Sequence, residues 1–318
     1  MPIGKSAKNK ATAFAPATIA NVGPGFDFFG FAIDGIGDRV TVAKTPMIGI
    51  TISSITGDGG RLPMETIGNS ASVVALKMLE DAGADFGLEL VLEKGLPLES
   101  GLGSSGASSA AAAVATNAIL GGRFKPEELV EFARYGEDVA AGAPHADNVA
   151  PAILGGFVIV RHGPQQEIIR IEPPKGWFVA VCHPHAELSA KKARKVTPES
   201  ASIRHLTINA SNAAAAVVAL KDNDIGLFGR AIMSDEVVEP ARAGLIPGYH
   251  DVKDAALVAG AAGVSIAGAG PTMFAVTGSR VRAEKIGEAM ATTWKHLGIE
   301  AEAYACRFGV EGAKVVKG

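Results

Sequence analysis

The segment PLESGLGSSGASSAAAAV (97–114) sets Gly101, Gly103 and Gly106 among serines, directly before a run of alanines. Alanine is the best helix former and glycine among the worst, so the segment predicts a polar, flexible loop feeding a strong helix. The first four N–H groups of a helix lack internal partners and carry about half a positive charge, which makes a helix mouth an anion site. Glycines ahead of it let a phosphate approach the backbone, and a serine at 104 or 105 is a natural N-cap. The loop by itself reads equally well as a capped helix with a flexible entry.

Two phosphate-binding patterns are tested against it. The three glycines satisfy G-x-G-x-x-G, but a dinucleotide fold needs them at the end of a strand, with an acid closing the next strand. Here residues 94–100 separate LELVLE from Gly101, and the acids some twenty residues on, Glu127 and Glu128, open a helix. A Walker A loop needs a lysine after the glycines, and none follows. A phosphate loop here works with backbone N–H groups, hydroxyls and a metal.

The elements that must hold this loop are read from composition and periodicity. A chain of 318 residues, 47% apolar and 20% charged, makes about two domains with real cores. A formal net charge of −3 gives no footprint for nucleic acid or an anionic membrane, and KKARK (191–195) is a small basic run. Cys182 and Cys306 are too few for a disulfide framework and fit a reducing cytosol. AFAPATIANVGPG is broken by proline, asparagine and glycine, so no signal peptide is expected. Residues 255–279 carry no charge, yet their glycines and Pro271 predict a helix, a turn and a buried strand, not a bilayer span.

Valine- and isoleucine-rich runs predict strands at 39–44, 49–55, 88–93, 156–161, 177–182, 273–278 and 300–306. Helices are predicted at 69–82, 105–120, 126–141, 209–221, 224–234, 251–262 and 282–297. Pro126 and Gly142 punctuate the third of these. Strands and helices mix without regular alternation, which predicts an α+β fold, and IEPPKG (171–176) is the candidate boundary between two domains.

PLESGLGSSGAS resembles the P-x-x-x-G-L-G-S-S-A phosphate loop of the GHMP kinases, ATP-dependent kinases of small molecules. APATIANVGPGFDFFGFAID (15–34) is similar to their N-terminal motif, and AGAGPTMFAV (267–276) to their glycine-rich C-terminal motif. The resemblance implies a two-domain α+β architecture. An N-terminal ribosomal protein S5 domain 2-like domain (1–172) would bind ATP, and a C-terminal ferredoxin-like α/β sandwich (173–318) would complete it.

Within the family, Thr18 where a lysine is usual, VGPGFD, PHADNVAPAILGGFVIVR (144–161), KKARKVTPES (191–200) and EPARAGLIPGY (239–249) resemble the branch that phosphorylates homoserine. That resemblance implies transfer of a phosphoryl group from ATP to the side-chain hydroxyl of L-homoserine, a step towards threonine, in the cytoplasm. It implies no nucleic-acid or membrane partner and is compatible with a homodimer. By resemblance Arg194 and Arg242 hold the substrate carboxylate, Asn21 and Asp27 its polar groups, and His145 and Asn148 complete the substrate site. An arginine fork suits a carboxylate.

Asn69 matches a residue near the base. Pro97, Leu98, Glu99, Ser100, Gly101, Leu102, Gly103, Ser104, Ser105, Gly106 and Ala107 match the loop around the phosphates. Ser105 and Glu137 match the ligands of Mg2+. With Asn148 and Thr18 where some relatives carry aspartate and lysine, a strong general base is not evident, which implies direct in-line transfer. Gly106, Glu99 and Ala190 depart from the usual pattern. Two other readings are a kinase for mevalonate-type alcohols and a nucleotide-binding regulator that has lost turnover.

Overall fold

The computed structural model describes residues 8–142 and 146–317. β1 (Lys10–Ala20) runs antiparallel to the long β2 (Phe29–Thr45), and their register shifts between Pro16 and Ala17. A proline cannot donate to the ladder, and a bulge at that point lets the strand continue. The stretch read as broken is therefore a buried strand as far as Ala20.

β3 (Ile50–Thr56), α1 (Ser70–Ala82), β4 (Gly87–Glu93), α2 (Ser104–Ile119), α3 (Pro126–Ala141), α4 (Ala146–Leu154), β5 (Phe157–Arg161) and β6 (Glu167–Ile171) follow. β2 is long enough to pair with β4 over 39–45 and with β5 over 29–31. β3 joins β4 in parallel and β6 joins β5. α2 lies between this sheet and α1, α3 and α4. Ala107, Ala110, Ala111, Ala112, Ala113 and Ala115 are all fully buried. A helix enclosed on every side needs small apolar residues all round, which accounts for the alanine run.

After β6 the chain starts a second sheet. β7 (Phe178–Pro184) precedes α5 (Ala190–Val196), α6 (Ile203–Asp222), α7 (Ile225–Ile232), α8 (Val238–Ala243) and α9 (Tyr249–Val258). β8 (Gly263–Ile266), β9 (Met273–Thr277), α10 (Arg280–His296) and β10 (Ala301–Arg307) complete it, in the antiparallel order β10-β7-β9-β8. This is the split βαββαβ arrangement. β11 (Lys314–Val316) then returns to β1 in the first sheet.

The two sheets share a core. Phe31 of β2 stacks on Phe308 at 4.2 Å and meets Phe274 of β9 edge-on at 5.8 Å. The uncharged run 255–279 is the end of α9, a turn at Gly260, β8, a glycine-rich loop and β9. Among the described residues no helix is long and apolar enough to cross a membrane.

Candidate active site

Three sequence motifs meet at one backbone position. The Gly268 carbonyl accepts the Asn21 amide at 3.0 Å and the Arg242 guanidinium at 3.0 Å. The Gly268 N–H donates to Ala20 O at 3.0 Å, and a Cβ at Gly268 would lie 2.8 Å from Gly101 O. The N-terminal motif, the phosphate loop, the glycine-rich loop and α8 are thereby tied together with no room for a side chain at the junction.

The phosphate loop is fixed from several directions. Thr18 N–H donates to Leu102 O, Thr272 N–H to Ser100 O, and the Ser100 hydroxyl to Pro97 O. Leu98 is half-buried, and Glu99 is exposed with a φ of 53°. Gly103, with a φ of 67°, is the N-cap of α2, and no side chain caps that helix. The serine cap expected from the sequence is absent. With Gly103 at the cap, the amide groups at the mouth of α2 are shielded by no capping hydroxyl. Ser104 instead bonds Leu96 O at 3.4 Å, Ala107 N–H returns to Gly103 O at 2.8 Å, and Gly106 is buried in the first turn. The Thr18 hydroxyl donates to Asn148 Oδ1 at 2.9 Å. A Cβ at Gly103 would fall 2.2 Å from Thr18 Oγ1 and 2.7 Å from Asn148 Oδ1.

A lysine does serve the loop, but from ahead of it, directly after β4. Lys94 is buried and donates to Asp38, to Ser104 O at 2.9 Å and to Ser108 Oγ at 2.7 Å, engaging all three protons of its ammonium. Asp38 also accepts N–H groups from Gly95 and Leu96. Burial pulls the Lys94 pKa down while Asp38 and Glu137 oppose that shift. The pair stitches β2 to the loop and to the first turn of α2. Neither residue stands out in the sequence, because 56 positions separate them.

Glu137 is buried on α3, with its Oε1 lacking any protein partner. Burial raises its pKa to about 7, against the lowering influence of the Ser105 side chain and of the Lys94 charge. The preceding Gly136 permits this approach, since a Cβ there would lie 2.5 Å from Ser109 Oγ and 2.7 Å from Val74. A buried carboxylate oxygen without a partner beside a hydroxyl fits a hard divalent cation. Asn69 stands apart from these contacts. Its amide caps α1 through Ala71 N–H at 3.1 Å and donates to Pro63 O.

Asn21 and Asp27 both adopt left-handed backbone, φ 61° and 62°, and the Asp27 N–H donates to Asn21 Oδ1 at 2.8 Å. Arg194 reaches Asp27 with both terminal nitrogens, at 2.9 and 3.1 Å. Arg242 is buried, donates to Thr197 Oγ1 at 3.3 Å, and leaves its Nε without a partner. The Phe26 ring lies under both guanidinium groups, 5.1 Å from Arg194 and 5.0 Å from Arg242. Burial lowers the Arg242 pKa while the Asp27 charge supports it, and an arginine stays charged under both influences. Asn21, Asp27, Asn148, Arg194 and Arg242 thus line one region beside the phosphate loop. His145 lies outside the described residues.

Asp147, unremarked in the sequence, is buried with its Oδ1 unpartnered. Burial first, then the Asp27 and Glu137 charges, push its pKa up to about 7 from an ordinary 3.8. A carboxyl whose folded pKa is raised binds a proton that the unfolded chain has lost. Its contribution therefore falls as pH rises from about 4 to about 7, with a slope near 1.4 kcal/mol per pH unit for one proton. His183, held neutral down to about 4 by burial, contributes the opposite slope at the acid end. Asp147→Asn is therefore expected to lift thermal stability at pH 7.5 more than at pH 5. Parallel Tm–pH profiles for the two proteins would contradict the assigned burial.

The site and the two sheets define a class of protein. Residues 69–156 match the GHMP kinase N-terminal domain and residues 216–296 the GHMP kinase C-terminal domain, and the chain belongs to that family. Its relatives there include homoserine kinases. The one from Chlorobaculum tepidum is 44% identical over 317 residues, covering 96% of this chain and 98% of the relative. That of Arabidopsis thaliana is 43% identical over 310 residues, covering 95% of this chain and 84% of the relative. The crystal structure of homoserine kinase from Cytophaga hutchinsonii superposes with a TM-score of 0.95 at 42% identity, covering 99% of this chain and all of that one (100%).

Proposed function

We infer that this protein transfers the γ-phosphoryl group of ATP to the side-chain hydroxyl of L-homoserine, giving O-phospho-L-homoserine and ADP. The observation that carries the reading is the bidentate pairing of Asp27 with Arg194, with Arg242 beside them over the same Phe26 ring, next to a helix mouth shielded by no capping side chain. Homoserine is a zwitterion with one reactive hydroxyl, so its site needs guanidinium for the carboxylate and a carboxylate for the ammonium. A mevalonate-type alcohol has no ammonium, and Asp27 would then lack its partner. The similarity to homoserine kinases over nearly the whole chain supports the same branch.

Arg242, pre-set by Gly268 and Thr197, grips the substrate carboxylate, and Arg194 turns to it from Asp27. Asp27 and Asn21 take the ammonium and orient the hydroxyl, with His145 and Asn148 closing the substrate site. The phosphates lie over the loop 97–107, against the amide groups of α2, with Asn69 towards the base. Ser105 and Glu137 hold Mg2+, which when bound neutralises charge on the transferring group. The division into an ATP-binding domain (1–172) and a second domain (173–318) belongs to this reading, with the terminal strand β11 crossing back to the first sheet, as does a cytoplasmic location for its two buried free thiols.

The hydroxyl oxygen forms its bond to the γ-phosphorus as the bond to the bridging oxygen breaks, and ADP leaves. Phosphoryl transfer has a loose transition state, so positioning and charge neutralisation carry most of the rate. At Gly103 the neighbouring groups are a threonine hydroxyl and an asparagine amide, neither of which takes up a proton at neutral pH. With asparagine and threonine at these positions a strong general base is not evident, and in this reading the hydroxyl proton departs to the transferred phosphoryl group or to water. ADP release measured over homoserine, threonine, serine and mevalonate should be fastest with homoserine. Faster turnover of mevalonate would move the protein to another branch, and ATP binding with no turnover of any alcohol would make it a regulator.

A further inference from the structure

We propose that Glu239 is a positioning residue for Arg242, acting through the short helix that both occupy; the proposal rests on the homoserine reading above. α8 spans Val238–Ala243, six residues, far below the length at which a helix stands by itself. Its geometry is imposed from outside. The Asp235 carboxylate accepts N–H groups from Val237 at 2.8 Å, Val238 at 3.1 Å and Glu239 at 2.7 Å, which fixes where the helix begins.

Glu239 then fixes where the helix lies. It is buried, and its Oε1 accepts the Lys253 ammonium at 2.6 Å and the Tyr249 hydroxyl, both from α9. Its Oε2 accepts the Ser265 hydroxyl from β8. Arg242 follows one turn later and donates to Gly268 O at 3.0 Å. Arg242 lies three positions after Glu239, and Gly268 lies three positions after Ser265. Helix and strand-plus-loop are thus joined by two rungs of matched spacing. The second rung is the guanidinium itself, and its acceptor is shared with Asn21.

Stability alone does not require this carboxylate. A buried ion pair can often be replaced by packed apolar side chains at little or no loss of stability, whereas removing one partner is strongly destabilising. Its distinctive contribution is direction, since hydrogen bonds to α9 and β8 hold α8 in one register. A small displacement of a substrate clamp weakens its grip on the carboxylate, and a misplacement of about 1 Å can cost about a hundredfold in kcat/KM. No step of the phosphoryl transfer uses Glu239, so any effect it has on catalysis passes through Arg242.

Glu239→Gln and Arg242→Lys, made singly and together, test this through KM for homoserine, KM for ATP, kcat and Tm. Glu239→Gln should raise KM for homoserine roughly tenfold while kcat and KM for ATP stay within about twofold. In the Arg242→Lys background it should add less than about twofold, because the two residues act as one unit. Ser265→Ala removes a single donor to Glu239 and should give the same split at about two- to threefold, should Glu239→Gln not fold. Additive losses in the double variant, or equal falls in kcat and ATP affinity that follow Tm, would overturn the proposal while leaving the homoserine reading intact. Failure of the unmodified protein to turn over homoserine would overturn that reading, and the positioning role with it.

Discussion

Gly103→Val is expected to weaken ATP binding by at least about a hundredfold, roughly 2.7 kcal/mol. The position has a φ of 67°, where a β-branched residue is strained, and its Cβ would fall 2.2 Å from Thr18 Oγ1 and 2.7 Å from Asn148 Oδ1. Relief of that contact must shift the first turn of α2 or break the bond between Thr18 and Asn148, and either change disturbs the amide groups that face the phosphates. Gly83→Val is the matched control. Gly83 has a φ of 60° with no atom within 4 Å of its Cβ position, so it carries a similar backbone strain away from the loop. Calorimetry should show Gly83→Val binding ATP normally despite lower stability. Equal affinity in both variants would remove the loop from the nucleotide site.

Arg242→Lys is expected to lower kcat/KM for homoserine about ten- to a hundredfold, corresponding to about 1.5–3 kcal/mol for a charge-assisted bidentate contact. Lysine keeps the charge and loses the fork that donates to both Gly268 and Thr197. ATP affinity in the absence of homoserine should hardly change. The penalty should shrink on a homoserine ester, which has no carboxylate to grip. Equal losses on homoserine and its ester would assign Arg242 to the fold or to the phosphates.

Much of the architecture is legible in the sequence wherever a backbone rule acts locally. Pro126 opens α3 and Gly142, with a φ of 68°, closes it. The glycines of 255–279 end α9 and set off the buried strand β9, although β8 between them has no counterpart among the strands expected from the sequence. Legibility ends where tertiary contacts override local pattern. Pro16 and the asparagine and glycines after it read as a break, yet β1 runs to Ala20 because the proline sits at a bulge. α6 begins at Ile203 and not at 209, since Ser202 caps it and its first turns are too exposed to show a periodic apolar face. α4 is hidden by the Pro151 inside it.

The site divides in the same way. The glycine–serine loop announces itself through composition, and the arginines and Glu137 emerge only from resemblance. Lys94 and Asp38 are invisible because a buried ion pair is a relation between distant positions. The Asp27–Arg194 pair spans 167 positions, and Glu239 gains meaning only once Tyr249, Lys253 and Ser265 are folded around it. Asp147 sits beside the noted Asn148, and only burial distinguishes it from an ordinary helix-start aspartate.

In the homoserine reading, one phosphoryl group passes from ATP to the side-chain hydroxyl in this site. Phosphorus NMR of a reaction with ATP, Mg2+ and L-homoserine tests it most directly. A phosphomonoester on the side-chain oxygen is expected, formed one for one with ADP and lost in Glu137→Gln. Inorganic phosphate appearing in place of that ester, with homoserine recovered unchanged, would contradict it.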